Sequence, residues 1–298
     1  MLARLLQFTT LWVLIFAMGW LVLLWDRSAI VAVVGAVLSL FLFAPFLIFE
    51  FAVARTVNAG DPAPQATLGQ WVHAWCGEVI QVVQVFSWRQ PFAWNAVPDQ
   101  VEDAYGHRGR RGVVFVHGFV CNRGLWTPWL KRLIVDRRAF AAVNLEPVFG
   151  SIDAYAPLID QAVAKVTLAT GQAPLVVCHS MGGLAVRAWL RSGANAEQRV
   201  HHIMTIGTPH HGTWLGRYAL ALNARQMRLH SDWLNQLAAT ESPERQKLFT
   251  CFYSNCDNIV FPASTGMLQG AQHRLIVGKA HVALAFDRTV MAESLARL

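Results

Sequence analysis

The chain has 298 residues, 54% of them apolar and only 14% charged, which excludes a disordered chain. Its mean hydropathy of +0.35 is high for a wholly soluble domain and low for a polytopic transporter, and so points to a membrane segment joined to a globular domain. The net charge is +7, with basic clusters at Arg108, Arg110 and Arg111 and again at Lys131, Arg132, Arg137 and Arg138. No nucleic-acid-binding motif accompanies them, so solvated faces or attraction to anionic lipid headgroups are expected and a nucleic-acid partner is not.

No charged residue occurs from position 5 to 25 or from 28 to 49. Each run is about 20 residues, the length a helix needs to cross roughly 30 Å of hydrocarbon. Asp26 and Arg27 stand between the runs. Two spans joined by so short a turn must be antiparallel, because lipid offers no partner to unpaired backbone. Trp25 falls at the expected interface. A cleaved signal peptide is the rival for the first run, but the apolar stretch is too long for one and no small-x-small site follows closely. Residues 1–55 are therefore expected to form a transmembrane helical hairpin in a lipid bilayer. Arg4 and Arg55 flank one side of it, whereas Arg27 shares the turn with Asp26. The positive-inside rule then favours a cytoplasmic catalytic domain.

The five cysteines are Cys76, Cys121, Cys178, Cys251 and Cys256. They form no CxxC pair, which argues against a disulfide framework or a zinc ribbon and leaves Cys251–Cys256 as the one bridge to consider. Unpaired thiols lean towards a reducing compartment.

Residues 56–110 read as a helical connecting region. Asp61-Pro62-Ala63-Pro64 is a break, and Trp71, Trp75, Val79, Val82, Val83 and Phe86 then recur at steps of three and four. Such a helix either lies on the bilayer or packs on the catalytic core, and the second is favoured.

From residue 111 to 298 the pattern is that of an α/β domain. Short, continuous apolar runs at 113–116, 140–143, 175–178, 202–206, 248–253 and 274–277 are expected to be buried parallel strands. Helical stretches separate them at about 125–133, 152–170, 181–191 and 282–297. Gly171 stands where a C-cap glycine should. Strand and helix alternate, which predicts a mostly parallel sheet with helices on both faces.

The chemistry concentrates in Leu175-Val176-Val177-Cys178-His179-Ser180-Met181-Gly182-Gly183. It reads strand, sharp turn, helix, with a serine held in a strained conformation at the carboxyl edge of the sheet. The places two before and two after the serine must be small, because strand and helix nearly touch there. Gly182 satisfies one; Cys178 fills the other, where glycine is commonest. Val116-His117-Gly118-Phe119 ends an earlier strand, in the loop that supplies one oxyanion-hole N–H in acyl-transfer enzymes of this architecture. The residue after the nucleophile supplies the other. Phe119 and Met181 are the expected donors, and His117 is read as a structural histidine.

A serine nucleophile needs a histidine base, and the base needs a carboxylate to hold its tautomer. Asp257 and His281 each follow a predicted strand, in the chain order this architecture requires, and are the expected acid and base. Asp232, Glu241 and Asp287 are rival acids, but none follows a strand. His210, His211 and His273 are rival histidines. The His210-His211 pair shares its spacing with no carboxylate or cysteine, so no metal site is expected.

Together, His117-Gly118, the elbow 179–183, Gly207-Thr208-Pro209-His210, Asp257 before Ile259-Val260, and His281 resemble the bacterial lipase/esterase branch of the α/β-hydrolase superfamily. The resemblance covers about residues 112–298. It implies Ser180, Asp257 and His281 as a triad and hydrolysis of carboxylic esters without a cofactor. It does not reach the hairpin, whose expected location is a bacterial inner membrane.

Residues 214–247 are strongly apolar for an insertion at the carboxyl edge of a sheet, and are either a cap over an acyl pocket or helices packed on the core. The expectation is a membrane-anchored serine hydrolase of hydrophobic acyl or lipid esters. The alternatives are an acyl thioesterase or acyltransferase on the same triad, or a non-catalytic membrane-anchored binding protein. Oligomeric state is not legible in the sequence.

Overall fold

Among the described residues, six strands form one all-parallel sheet in the order β2-β1-β3-β4-β5-β6. They are β1 Val113–Val116, β2 Phe140–Val143, β3 Leu175–His179, β4 His202–Ile206, β5 Phe249–Tyr253 and β6 Gln272–Leu275. The computed structural model describes residues 1–102, 106–193 and 195–298; residues 103–105 of the connecting region lie outside the described residues. β1 pairs with β2 through Val113–Phe140 and with β3 through Val113–Leu175. Both neighbours arrive by crossover connections, as parallel strands require.

Helices in chain order are α1 Leu2–Leu24, α2 Ala29–Leu40, α3 Ala44–Val57, α4 Leu68–Gln84 and the short α5 Gln90–Phe92, joined to α4 by a π-helical turn. The sheet domain carries α6 Thr127–Val135, α7 Ala156–Thr170, α8 Met181–Ser192, α9 Leu222–Gln226, α10 Asp232–Ala239, α11 Pro243–Gln246, α12 His281–Leu284 and α13 Arg288–Leu295. One face of the sheet buries Val114, Val176 and Ile203 against α7 and α8. The other buries Val113, Phe115, Val177 and Met204 against α6, α13 and Val85. Burial on both faces is why β1 to β4 read as unbroken apolar runs.

Three elements differ from expectation. β6 begins two residues earlier than its apolar run. It is an edge strand whose Gln272, His273 and Arg274 are exposed, so only one of its sides pairs and apolar content does not mark it. The helix expected over 282–297 is two helices, because the Asp287 side chain accepts from the Thr289 and Val290 N–H groups and starts α13 afresh. At the other end, α7 starts at Ala156 after a 3₁₀ turn over Ile152–Tyr155. Gly171 closes it at φ 72°.

The N-terminal region departs further. Among the described residues, helix α1 alone is long and apolar enough to cross a membrane; α2 and α3 meet that criterion only if taken together, and they are bent by 48° at the break between them. The second apolar run is therefore broken between Leu40 and Ala44, and Pro45 lies in the first turn of the helix that follows. Helices α1 and α2 pack closely: a Cβ at Gly35 would lie 1.8 Å from Trp20 Nε1, and Trp20 Nε1 donates to the Val31 carbonyl at 3.3 Å.

Helix α4 packs on the sheet domain. It begins with a capping box in which Thr67 and Gln70 satisfy each other's backbone N–H groups. Its buried Trp71 and Ala74 join Leu47, Phe51 and Ala54 of α3, and together they cover Cys256, Phe261 and Ala280 in the loops after β5 and β6.

Candidate active site

Strand β3 ends at His179, and α8 starts at Met181. Ser180, between them, has φ 54° and ψ −129°, a left-handed backbone that is costly for a residue with a Cβ. Close packing enforces the turn. A Cβ at Gly182 would sit 2.3 Å from the Val116 carbonyl oxygen, and one at Gly183 2.3 Å from Thr208 Oγ1. A Cβ at Gly118 would lie 2.7 Å from that of Ser180, so the loop after β1 runs directly beside the serine. The Thr208 hydroxyl donates to the Ser180 carbonyl at 2.8 Å and pins the elbow to the loop after β4.

Phe119 follows Gly118 in the loop beside the serine, and Met181 follows the serine at the start of α8. Among the described residues neither backbone N–H has a hydrogen-bond partner. The loop carrying Phe119 is fixed by His117. Leu145 N–H donates to His117 Nε2 at 3.0 Å, so the proton is on Nδ1, which lies 2.9 Å from the Gly118 carbonyl. Burial pushes the His117 pKa down to about 4, which keeps it neutral. A second tie comes from α5: the Asn122 backbone N–H donates to Gln90 Oε1 at 2.6 Å.

Asp257 and His281 meet. His281 Nδ1 lies 2.9 Å from Asp257 Oδ2, and both side chains are buried. The other carboxylate oxygen of Asp257 accepts from the Ile259 and Val260 N–H groups at 2.8 and 2.7 Å. Gly207, at φ 57°, leaves room for the pair, since a Cβ there would be 3.1 Å from Asp257 Oδ2 and 3.2 Å from His281 Nδ1. Burial pushes the His281 pKa down, but Asp257, with Glu78 and Glu50 behind it, more than reverses this, and the net shift is upward. The ring of His179 packs tilted against that of His281, with 4.6 Å between centroids, and His179 Nε2 lies 3.1 Å from the His281 carbonyl; among the described residues the Ser180 hydroxyl makes no hydrogen bond to His281. Hydrogen bonds of this kind commonly tighten only around a substrate.

Four of the rival residues are engaged elsewhere. Glu241 makes a buried two-pronged ion pair with Arg187 at 2.7 and 2.9 Å. Asp287 caps α13 and pairs with Lys279. His210 Nε2 lies 3.0 Å from Thr205 Oγ1, and His273 Nε2 2.7 Å from the Leu268 carbonyl. Cys251 and Cys256 are free thiols. In the insertion, Met227, Leu234 and Leu237 are buried, and α10 packs on α8. Tyr218, Leu220 and Leu222 remain exposed.

A family model described as PGAP1-like alpha/beta domain matches residues 159–275. Two solved structures share the architecture. The mature Bacillus licheniformis lipase BlEst2 is 16% identical with a TM-score of 0.53, over 59% of this chain and 87% of that one. Aspergillus fumigatus lipase B is 17% identical with a TM-score of 0.56, over 67% of this chain and 55% of that one. This chain thus spans about half the length of the fungal lipase. Among curated proteins no sequence matches. The chain has the α/β-hydrolase fold.

In this fold Ser180, Asp257 and His281 all lie beyond carboxyl ends of strands, where open α/β sheets place their sites. Sequence reasoning missed the residues that hold them. Neither His179 nor Asn258, whose Oδ1 accepts from the His281 N–H at 3.2 Å, had a distinguishing spacing. Glu78 did carry a signal: it continues the buried face of Trp71 and Ala74, and an acid on an apolar stripe needs a reason.

Proposed function

We propose that this protein is a membrane-anchored serine hydrolase of carboxylic esters with a hydrophobic acyl group. The observation that carries the reading is the buried 2.9 Å contact between His281 Nδ1 and Asp257 Oδ2, set beside a serine in a strained strand-to-helix turn. In this mechanism Asp257 keeps the His281 proton on Nδ1, which leaves Nε2 to take the proton of Ser180 as its oxygen attacks the ester carbonyl. The Phe119 and Met181 N–H groups stabilise the oxyanion, at about 3–4 kcal/mol for one donor. His281 then protonates the leaving alcohol, and water releases the acid by the reverse route. No cofactor enters these steps.

Helix α1 supports anchoring in a bilayer, with α2 and α3 as a bent return. Arg4 and Arg55 favour a cytoplasmic site, and a reporter fused after Leu298 tests that side. The exposed Tyr218, Leu220 and Leu222, within the insertion 214–247, suit contact with an acyl chain.

A fluorophosphonate probe is expected to form one adduct, on Ser180, located by peptide mass spectrometry. Ser180→Ala should lose both the adduct and turnover of p-nitrophenyl esters. Labelling of the variant at another serine would overturn the assignment. The base must be neutral to work, so kcat/KM should fall as pH drops through the His281 pKa. Because that pKa is raised, the acid limb should lie above 6.5, the ordinary histidine value. A pH–rate profile checks this, and a limb below 6.5 would contradict a raised His281 pKa.

A further inference from the structure

Two N-terminal helices each deliver a buried carboxylate to the loops that carry Asp257 and His281. Glu78 of α4, 1% exposed, reaches the turn that follows His281. Its oxygens accept from Val282 N–H at 3.0 and 3.1 Å and from Ala283 N–H at 3.0 Å. Glu50 of α3, also buried, accepts from Asn258 Nδ2 at 2.8 Å. Asn258 in turn accepts from the His281 N–H through Oδ1 at 3.2 Å. The backbone of His281 and of the two residues after it is thus held, directly or through one amide, by residues more than 200 positions away in the chain.

Neither carboxylate pairs with a lysine or arginine among the described residues. A buried carboxylate without a cation is costly, and an apolar residue would fill either site more cheaply. An apolar residue would, however, leave the Val282 and Ala283 N–H groups and the Asn258 amide without acceptors. What these acids provide is the placement of His281.

We propose that Glu78 and Glu50 are positioning residues for the catalytic histidine, so that α3 and α4 form part of the hydrolase site. The proposal rests on the reading of Ser180, Asp257 and His281 given above. Cys256 packs in the same cluster as α3 and α4, and burial pushes its thiol up to about 12, so it stays neutral. His281 and Asp257 face both glutamates. His179 packs tilted against His281 and is kept neutral by burial, its pKa pushed down to about 3. Lys279 turns away to Asp287. Burial raises the Glu78 pKa to about 7, against the opposing backbone hydrogen bonds. Glu78 therefore gains charge as pH rises through neutrality, and that charge favours the protonated, more basic imidazole.

The test uses the full chain in detergent micelles, as wild type, Glu78→Gln and Glu50→Gln. Each is assayed for fluorophosphonate labelling, for kcat and KM on a p-nitrophenyl ester across pH, and for thermal unfolding. Glutamine keeps the shape but removes the charge and one acceptor. Glu78→Gln should lower kcat about tenfold or more with little change in KM. It should also move the acid limb of kcat/KM down by about half a pH unit or more. Glu50→Gln, acting through Asn258, should move both in the same direction by less. A merely structural role would lower the yield of folded protein without moving the limb. Folded Glu78→Gln with wild-type kcat and an unmoved limb overturns the proposal while Ser180 labelling stands. Should Glu78→Gln not fold, Glu50→Gln decides by the same criteria. Absence of the Ser180 adduct in wild type overturns the hydrolase reading itself, and with it the role given to both acids.

Discussion

Asp257→Asn is expected to lower kcat on an ester substrate by about 10⁴-fold, with little loss of stability. Asp257 has two separable jobs. Its Oδ1 accepts from the Ile259 and Val260 N–H groups, and its Oδ2 from His281 Nδ1. An asparagine oxygen can keep the first two bonds, so the loop after β5 should hold its shape. The amide nitrogen then faces His281 Nδ1 as a donor. The imidazole must answer by moving its proton to Nε2, where a donor now points at Ser180 and no base remains. Steady-state kinetics together with a thermal melt check both halves. A loss below about tenfold in a folded variant would mean that Asp257 does not set the tautomer.

Removing residues 1–110 should abolish cooperative folding, although a sequence-based division would place the catalytic domain after that point. The fragment 111–298 keeps all six strands but loses Leu47, Phe51, Trp71, Val85 and Val97, all buried in the intact chain. At about 1.5–3 kcal/mol for each fully buried large apolar side chain, the loss matches or exceeds a typical total stability of about 5–15 kcal/mol. It also strips the acceptors from Val282 and Ala283, at about 1–3 kcal/mol for each unsatisfied group. A chain that lacks only α1 should still fold, because α1 buries little more than Leu2 and Ala17. Circular dichroism melts of the two fragments separate these outcomes. A sharp transition in 111–298 would show that α3 and α4 are dispensable for folding.

The parts of the fold that were legible are those whose pattern reports a local rule. Strands buried on both faces show as apolar runs, and Gly171 marks its helix end because φ 72° suits glycine. The elbow was legible because a strained serine between a strand and a helix needs small neighbours, and Gly182 has no room for a Cβ against Val116. The edge strand β6 was misplaced by two residues because its exposed side chains follow solvent rather than a core. The bend of 48° between α2 and α3 left no mark in the second apolar run, because hydropathy does not register where a helix breaks.

What the chain's own order of residues determined was the succession of strands and helices and the identity of the reactive groups, since both depend on side-chain chemistry and neighbours a few positions away. Only the tertiary structure decided which distant segments brace the site. It set Glu78 against Val282, Glu50 against Asn258 and His179 against His281, across roughly 100 to 200 positions of sequence. The physical reason is that a buried N–H or amide takes whichever acceptor the packing of whole helices brings to it, and that choice leaves no period or spacing in the chain.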